Sequence, residues 1–167
     1  MQSIQTVSEN TIYVGASDRR LAKFENLFPI PRGVSYNAYV ILDEKTALLD
    51  TADASVGAQF LENVAAALDG RKLDYLIVDH MEPDHAAMIE AVLVRWPDLR
   101  LVVNAKTLPM LKMYFPTDSA AIDDALVVKE GDTLDLGKHK LTFVMAPMVH
   151  SVSYTHLRAH ETLMNLV

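Results

Sequence analysis

The stretch Asp79-His80-Met81-Glu82-Pro83-Asp84-His85 sets carboxylates and imidazoles side by side. His80, Glu82 and Asp84 are two residues apart, and in an extended backbone side chains at that spacing point to one side. Pro83 biases Glu82 away from helical geometry, which favours the extended reading. Carboxylates converging on one point repel unless positive charge lies between them, and a metal ion supplies it. Mixed imidazole and carboxylate donors without thiolate suit iron or manganese at least as well as zinc. Closed structural zinc sites usually use cysteine, and this chain has none. His150, after the run 141–145 and Ala146-Pro147-Met148-Val149, is a second candidate donor at the end of a strand. The competing reading makes Asp84 the N-cap of a helix from Ala86, places His85 in its first turn and leaves His80 and Glu82 as solvated loop residues. Spacing alone leaves both readings open. His139, in the turn Gly137-Lys138-His139-Lys140, reads as solvated, and Met110, Met113, Met145 and Met148 read as core fillers.

The elements that must position these residues follow from periodicity. Residues 4–7, 11–14, 37–42 and 46–50 are rich in β-branched and aromatic residues, with turn formers between them. Phe60, Leu61, Val64, Ala65 and Leu68 recur at helical spacing, and Asp69-Gly70 supplies a stop. Residues 73–78 form a compact apolar strand that delivers 79–85 to its end, the usual place for ligand-binding side chains in α/β folds. A helix from Ala86 to about Arg95 stops before Pro97. Residues 101–103 read as a strand and 107–115 as a helix, with Pro109 near its start. Residues 125–128 and 140–146 read as strands flanking a turn region at 131–137. The order, β first and then β and α alternating, points to an α/β domain. The early hairpins argue against a simple doubly wound parallel sheet.

Composition narrows the class. The 167 residues are 50% hydrophobic and 22% charged, ordinary for a globular domain with its own core. A net charge of −7 without a basic cluster argues against nucleic-acid binding. No apolar run approaches a bilayer span and no basic leader precedes an apolar stretch, so a cytoplasmic protein without a membrane segment is expected.

His80-Met-Glu-Pro-Asp-His85, with Ala146-Pro-Met-Val-His150 downstream, resembles the flavodiiron proteins, also called A-type flavoproteins. Residues 28–39 and Leu48-Leu-Asp-Thr51 are similar to that family as well. The resemblance implies a metallo-β-lactamase-like αββα sandwich. Hydrolases of that superfold usually carry His at the position of Glu82, and Glu there marks the iron redox branch. By position, the resemblance implies that His80, Glu82 and His150 bind one iron and Asp84 the other, with His85 left open as a ligand of the second. It implies reduction of dioxygen to water, or of nitric oxide to nitrous oxide. Electrons would come from FMN in a C-terminal flavodoxin-like domain across a head-to-tail homodimer, fed by a rubredoxin-like donor.

The departures are as specific. The family's bridging carboxylate and last histidine ligand lie beyond the position of His150, and only 17 residues follow it here. Ser151-Val-Ser stands where a Trp-Pro-type continuation is expected. Val152-Ser-Tyr-Thr-His-Leu-Arg-Ala-His-Glu-Thr162 resembles one reading frame of a transposase-type sequencing-library adapter. Residues 1–150 are therefore expected to be roughly the first half of the di-iron domain, 151–167 a non-native tail, and the flavodoxin-like domain absent. The alternative for the tail is an amphipathic helix placing His156 and His160 four apart. The expected fragment is inactive, with an incomplete di-iron centre. The rival functions are a hydrolase of the same superfold, acting through metal-activated water, and a non-catalytic α/β domain.

Overall fold

The computed structural model describes residues 3–24, 26–116, 119–146 and 155–159. The chain opens with β1 (Gln5–Ser8) and β2 (Thr11–Tyr13), an antiparallel hairpin. Two short ribbons follow. β3 (Ala16–Asp18) pairs with β6 (Val34–Tyr36), and between them β4 (Lys23–Phe24) pairs with β5 (Phe28–Pro29). Next come β7 (Tyr39–Leu42), β8 (Thr46–Leu49), a 3-10 turn at Ala54–Val56, α1 (Gly57–Leu68) and β9 (Tyr75–Ile77). The chain continues through α2 (Pro83–Ala86), α3 (Ile89–Arg95), β10 (Arg100–Asn104), α4 (Thr107–Tyr114), α5 (Ser119–Asp123) and β11 (Leu126–Val128). It closes on β12 (Thr133–Asp135), β13 (Lys140–Met145) and β14 (Thr155–Ala159).

Seven strands form one mixed sheet in the order β1-β2-β7-β8-β9-β10-β11, antiparallel up to β8 and parallel from β8 onward. Helical connections after β8, β9 and β10 make that parallel half, because parallel neighbours need crossovers. Both faces of the central strands are buried, which explains runs of unbroken apolar residues instead of alternation. Val40, Leu48, Leu76 and Val103 pack with Phe60, Val64 and Leu68 of α1 on one face. Their neighbours Ile41, Leu49, Ile77 and Val102 turn to the other face and meet Leu134, Leu141 and Phe143 of the antiparallel sheet β12-β13-β14. Burying a side chain the size of Phe60 or Phe143 contributes about 1.5–3 kcal/mol. Asn63 of α1 is buried as well, and its side chain donates to the carbonyls of Val14 and Gly15 at 3.2 and 2.9 Å. The sandwich thus has a helical layer and two stacked sheets.

Three local expectations change. The helix expected from Ala86 to Arg95 is two pieces, Pro83–Ala86 and Ile89–Arg95. Its first turn starts at Pro83, whose missing N–H costs little there, so Asp84 lies inside the turn and Glu82 takes the cap position without a side-chain cap bond. The region 131–137 holds β12 as well as turns. Residues 155–159 form a strand against β13, so the helical alternative for the tail fails there.

Candidate metal centre

β8 is followed by Asp50, whose backbone N–H donates to the Ile77 carbonyl at 2.9 Å. The residue is left-handed, with φ 56°, a conformation that aspartate and asparagine tolerate better than most residues other than glycine. Its carboxylate is then aimed at the loop after β9. Oδ1 accepts the Asp79 backbone N–H at 2.7 Å, and Oδ2 lies 2.9 Å from Nδ1 of His85. Thr51 grips the far end of the same loop. Its N–H and hydroxyl both donate to the His85 carbonyl, at 2.8 and 2.6 Å. Two residues at one strand end therefore hold 79–85 in shape.

Within that shape Glu82 is extended, with φ −72° and ψ 152°, as Pro83 requires. His80 is buried, and its Nε2 lies 3.1 Å from Glu82 Oε1. The His85 ring stands 5.4 Å from the His80 ring at 71°, and its Nε2 lies 3.5 Å from Asp84 Oδ2. The four side chains so form two imidazole–carboxylate couples with their histidine rings in contact. Of the two residues that the capped-loop alternative leaves solvated, His80 is buried and Glu82 is partly exposed.

Electrostatics follow from the crowding. Burial disfavours the charged form of His85, but the Asp50 hydrogen bond and charge, with Asp84 and Glu82 behind it, outweigh burial and raise its pKa. Asp79 is pushed well above the ordinary carboxylate range by burial and then by the Asp50 charge. Its Oδ1 is buried with no hydrogen-bond partner among the described residues. A cleft of about 280 Å³ opens beside the couples, with Leu21, Phe24, Tyr36, Asp53, Glu82 and Asp84 on its walls.

The donor set fits a metal in chemistry. A carboxylate against Nδ1, as Asp50 stands to His85, is the arrangement of metal-binding histidines with an outer carboxylate, in which Nε2 would be the donor. Among the described residues, no group of three or more His, Asp or Glu is placed to hold a metal ion. The couples are pairs, and His150 lies outside the described residues. No described helix is long and apolar enough to cross a membrane.

Sequence reasoning gave Asp50, Thr51 and Asp79 no role in the site. The strand-end rule that singled out 79–85 applies equally to Asp50-Thr51 after β8. His139, read as solvated, is instead mostly covered and held by Asp43, with Nδ1 and Oδ2 at 2.6 Å.

Residues 34–163 match the family described as ODP family beta lactamase. The chain is 36% identical over 146 residues to a nitric oxide reductase of Moorella thermoacetica, covering 86% of this chain and 36% of that protein. It is 34% identical over 137 residues to the rubredoxin-oxygen oxidoreductase of Megalodesulfovibrio gigas, covering 82% of this chain and 33% of the relative. The flavodiiron protein of Giardia intestinalis superposes with a TM-score of 0.86 at 25% identity, over 95% of this chain and 38% of its own. The chain thus spans about a third of the length of these relatives. The metallo-β-lactamase-like fold expected from the resemblance is the fold observed, present in part.

Proposed function

Since the chain belongs to the ODP family beta lactamases, we propose that it carries the first part of the metal domain of a di-iron oxidoreductase. The whole protein would reduce dioxygen to water or nitric oxide to nitrous oxide. The observation that carries this reading is the His80–Glu82 couple, closed to 3.1 Å at a strand end beside a His85 whose Nδ1 lies 2.9 Å from Asp50 Oδ2. His80 and Glu82, with His150, would hold one iron, Asp84 the other, and His85 stands ready as a further donor. Iron bound there supplies electrons and Lewis acidity to a diatomic substrate. The chain's own residues do the rest of the local work. Asp50 orients the His85 imidazole, Thr51 fixes the His85 carbonyl, and Leu21 and Phe24 line one side of the cleft. FMN in a flavodoxin-like domain, reached across a head-to-tail homodimer and fed by a rubredoxin-like donor, completes the electron path. We place the protein in the cytoplasm, with no nucleic-acid or membrane partner. Residues 1–150 are the native part in this reading, and 151–167 derive from an adapter, which the coding DNA checks directly.

The chain alone is expected to be inactive and to bind at most one iron weakly. Anaerobic reconstitution followed by iron analysis tests this. Wild type should retain one iron or fewer, and Glu82→Ala should retain none above background. Two tightly held irons per wild-type chain would overturn the incomplete site, and unchanged iron in the variant would remove Glu82 from it.

A further inference from the structure

The cleft beside the two couples is walled by carboxylates and has few donors. Its acidic side chains are Asp53, Glu82 and Asp84, and its side-chain donors are Lys23, Asn26 and the phenol of Tyr36. Lys23 and Asn26 are exposed, in water that screens them and competes for their bonds. Tyr36 is 4% exposed and belongs to the main core. Its phenol feels the Asp53 charge, the Ser55 hydroxyl and the charges of Asp18 and Asp84, and of these Asp53 and Asp84 are cleft walls. The ring is therefore rooted in the core and its hydroxyl end turned to the cleft.

The backbone of Tyr36 is pinned as firmly. It pairs with Ala16 across the β3–β6 ribbon, and its carbonyl accepts the Tyr13 hydroxyl at 3.3 Å. Gly15 packs against the same carbonyl so closely that a Cβ there would collide with the oxygen. Burial is the largest influence on the phenol and the Asp53 charge the next. Together they hold its pKa above the ordinary 10 despite the Ser55 hydroxyl, so it stays O–H at neutral pH. A donor fixed in a buried wall before its ligand arrives does more than a mobile one, because no reorganisation is needed. We propose that Tyr36 is a ligand-binding residue of the cleft and donates its O–H to the outer atom of a small, electron-rich ligand. The class of ligand follows from the walls. Negative charge on that atom would be repelled by Asp53, and Tyr36 is the buried donor placed to offset the repulsion. The proposal rests on the metal-site reading above, because that reading brings such a ligand into the cleft.

The test loads the full 167-residue chain with Co(II) and uses azide as the ligand probe. Tyr36→Phe keeps the ring in the core and removes only the hydroxyl. It should weaken azide binding about fivefold or more and move the azide infrared stretch, with Co(II) affinity as in wild type. Lys23→Ala should cost about twofold or less. Azide affinity and stretch unchanged in Tyr36→Phe would overturn the proposal, as would a larger loss in Lys23→Ala. Should Tyr36→Phe fail to fold, the double variant Lys23→Ala, Asn26→Ala decides. A shift of the azide stretch on transfer to heavy water that persists there leaves Tyr36 as the donor, and its absence refutes the proposal. Wild type that takes Co(II) but no azide overturns the proposal alone. Wild type that takes no Co(II) overturns the metal-site reading and the proposal with it.

Discussion

The two ends of β8 close with the same couple in opposite surroundings. At one end Asp50 lies 2.9 Å from Nδ1 of His85, and at the other Asp43 lies 2.6 Å from Nδ1 of His139. Asp43 is surrounded by donors. Three backbone N–H groups and a ring share its two oxygens, so the carboxylate is satisfied where it stands. Asp50 meets one backbone N–H, one ring and the buried carboxyl of Asp79, on a backbone held left-handed. The difference decides what each histidine is free to do. His85 keeps Nε2 facing Asp84 and its ring edge on His80. His139 ends in a turn, clamped by ring and backbone to the same oxygen. A carboxylate–imidazole pair becomes a candidate donor or a clamp according to what surrounds it.

The sharpest way to break the comparison is Asp50→Ala. It strips the acceptors from His85 Nδ1 and the Asp79 N–H and leaves alanine in a left-handed backbone. We expect a loss of about 3 kcal/mol in urea unfolding at neutral pH, from two part-buried hydrogen bonds and the strained backbone together. Asp50→Asn keeps the shape and one acceptor and should cost less than half as much. A loss below about 1 kcal/mol for the alanine variant would mean that the loop 79–85 holds its own shape without Asp50.

The clamp end is probed through Gly137. Gly137→Ala adds a methyl between Asp43 Oδ1 and Glu44 and strains a backbone at φ 122°. The expected cost is about 2 kcal/mol. Gly70→Ala is the matched comparison, since its φ is 81° and nothing lies within 4 Å of the added Cβ. It should cost about 1 kcal/mol from the backbone alone. Equal losses at the two glycines would show that the keyed contact with Asp43 contributes nothing.

The sequence was informative where the physics is local. The run Asp79–His85 announced itself by residue type, and Pro83 fixed the extended Glu82 beside it. Central strands and α1 followed from apolar spacing, and the mixed sheet from hairpins preceding βα alternation. The clamp was invisible because its halves are 96 residues apart and His139 sits in a polar turn. Asp50 was quoted for its resemblance and given no task, since neither its left-handed backbone nor its reach to His85 leaves a periodic mark. The break between α2 and α3 was missed for a related reason. The Met88 N–H turns to the Thr51 hydroxyl at 3.3 Å, a tertiary contact that competes with continuous helix.

The smallest effect is also the one that separates the two ends by sign. Burial alone would raise the Asp43 carboxyl, but the His139 N–H and ring, with the N–H groups of Lys138 and Glu44, outweigh it and hold the pKa well below its ordinary 3.8. A depressed carboxyl contributes stability that is present above its unfolded pKa and is lost as pH falls below 3.8 toward the folded value. His85 runs the other way. Its folded pKa lies above its ordinary 6.5, so its contribution is full below 6.5 and lost as pH rises through the folded value. Asp79, raised by burial and by Asp50, adds to that same loss with rising pH. Urea unfolding followed from pH 2.5 to 8 should therefore show an acid limb that Asp43→Asn flattens below pH 3.8, while leaving the slope above pH 6.5 as in wild type. An unchanged acid limb in that variant would place acid sensitivity on other carboxylates and reduce the Asp43 couple to a neutral contact.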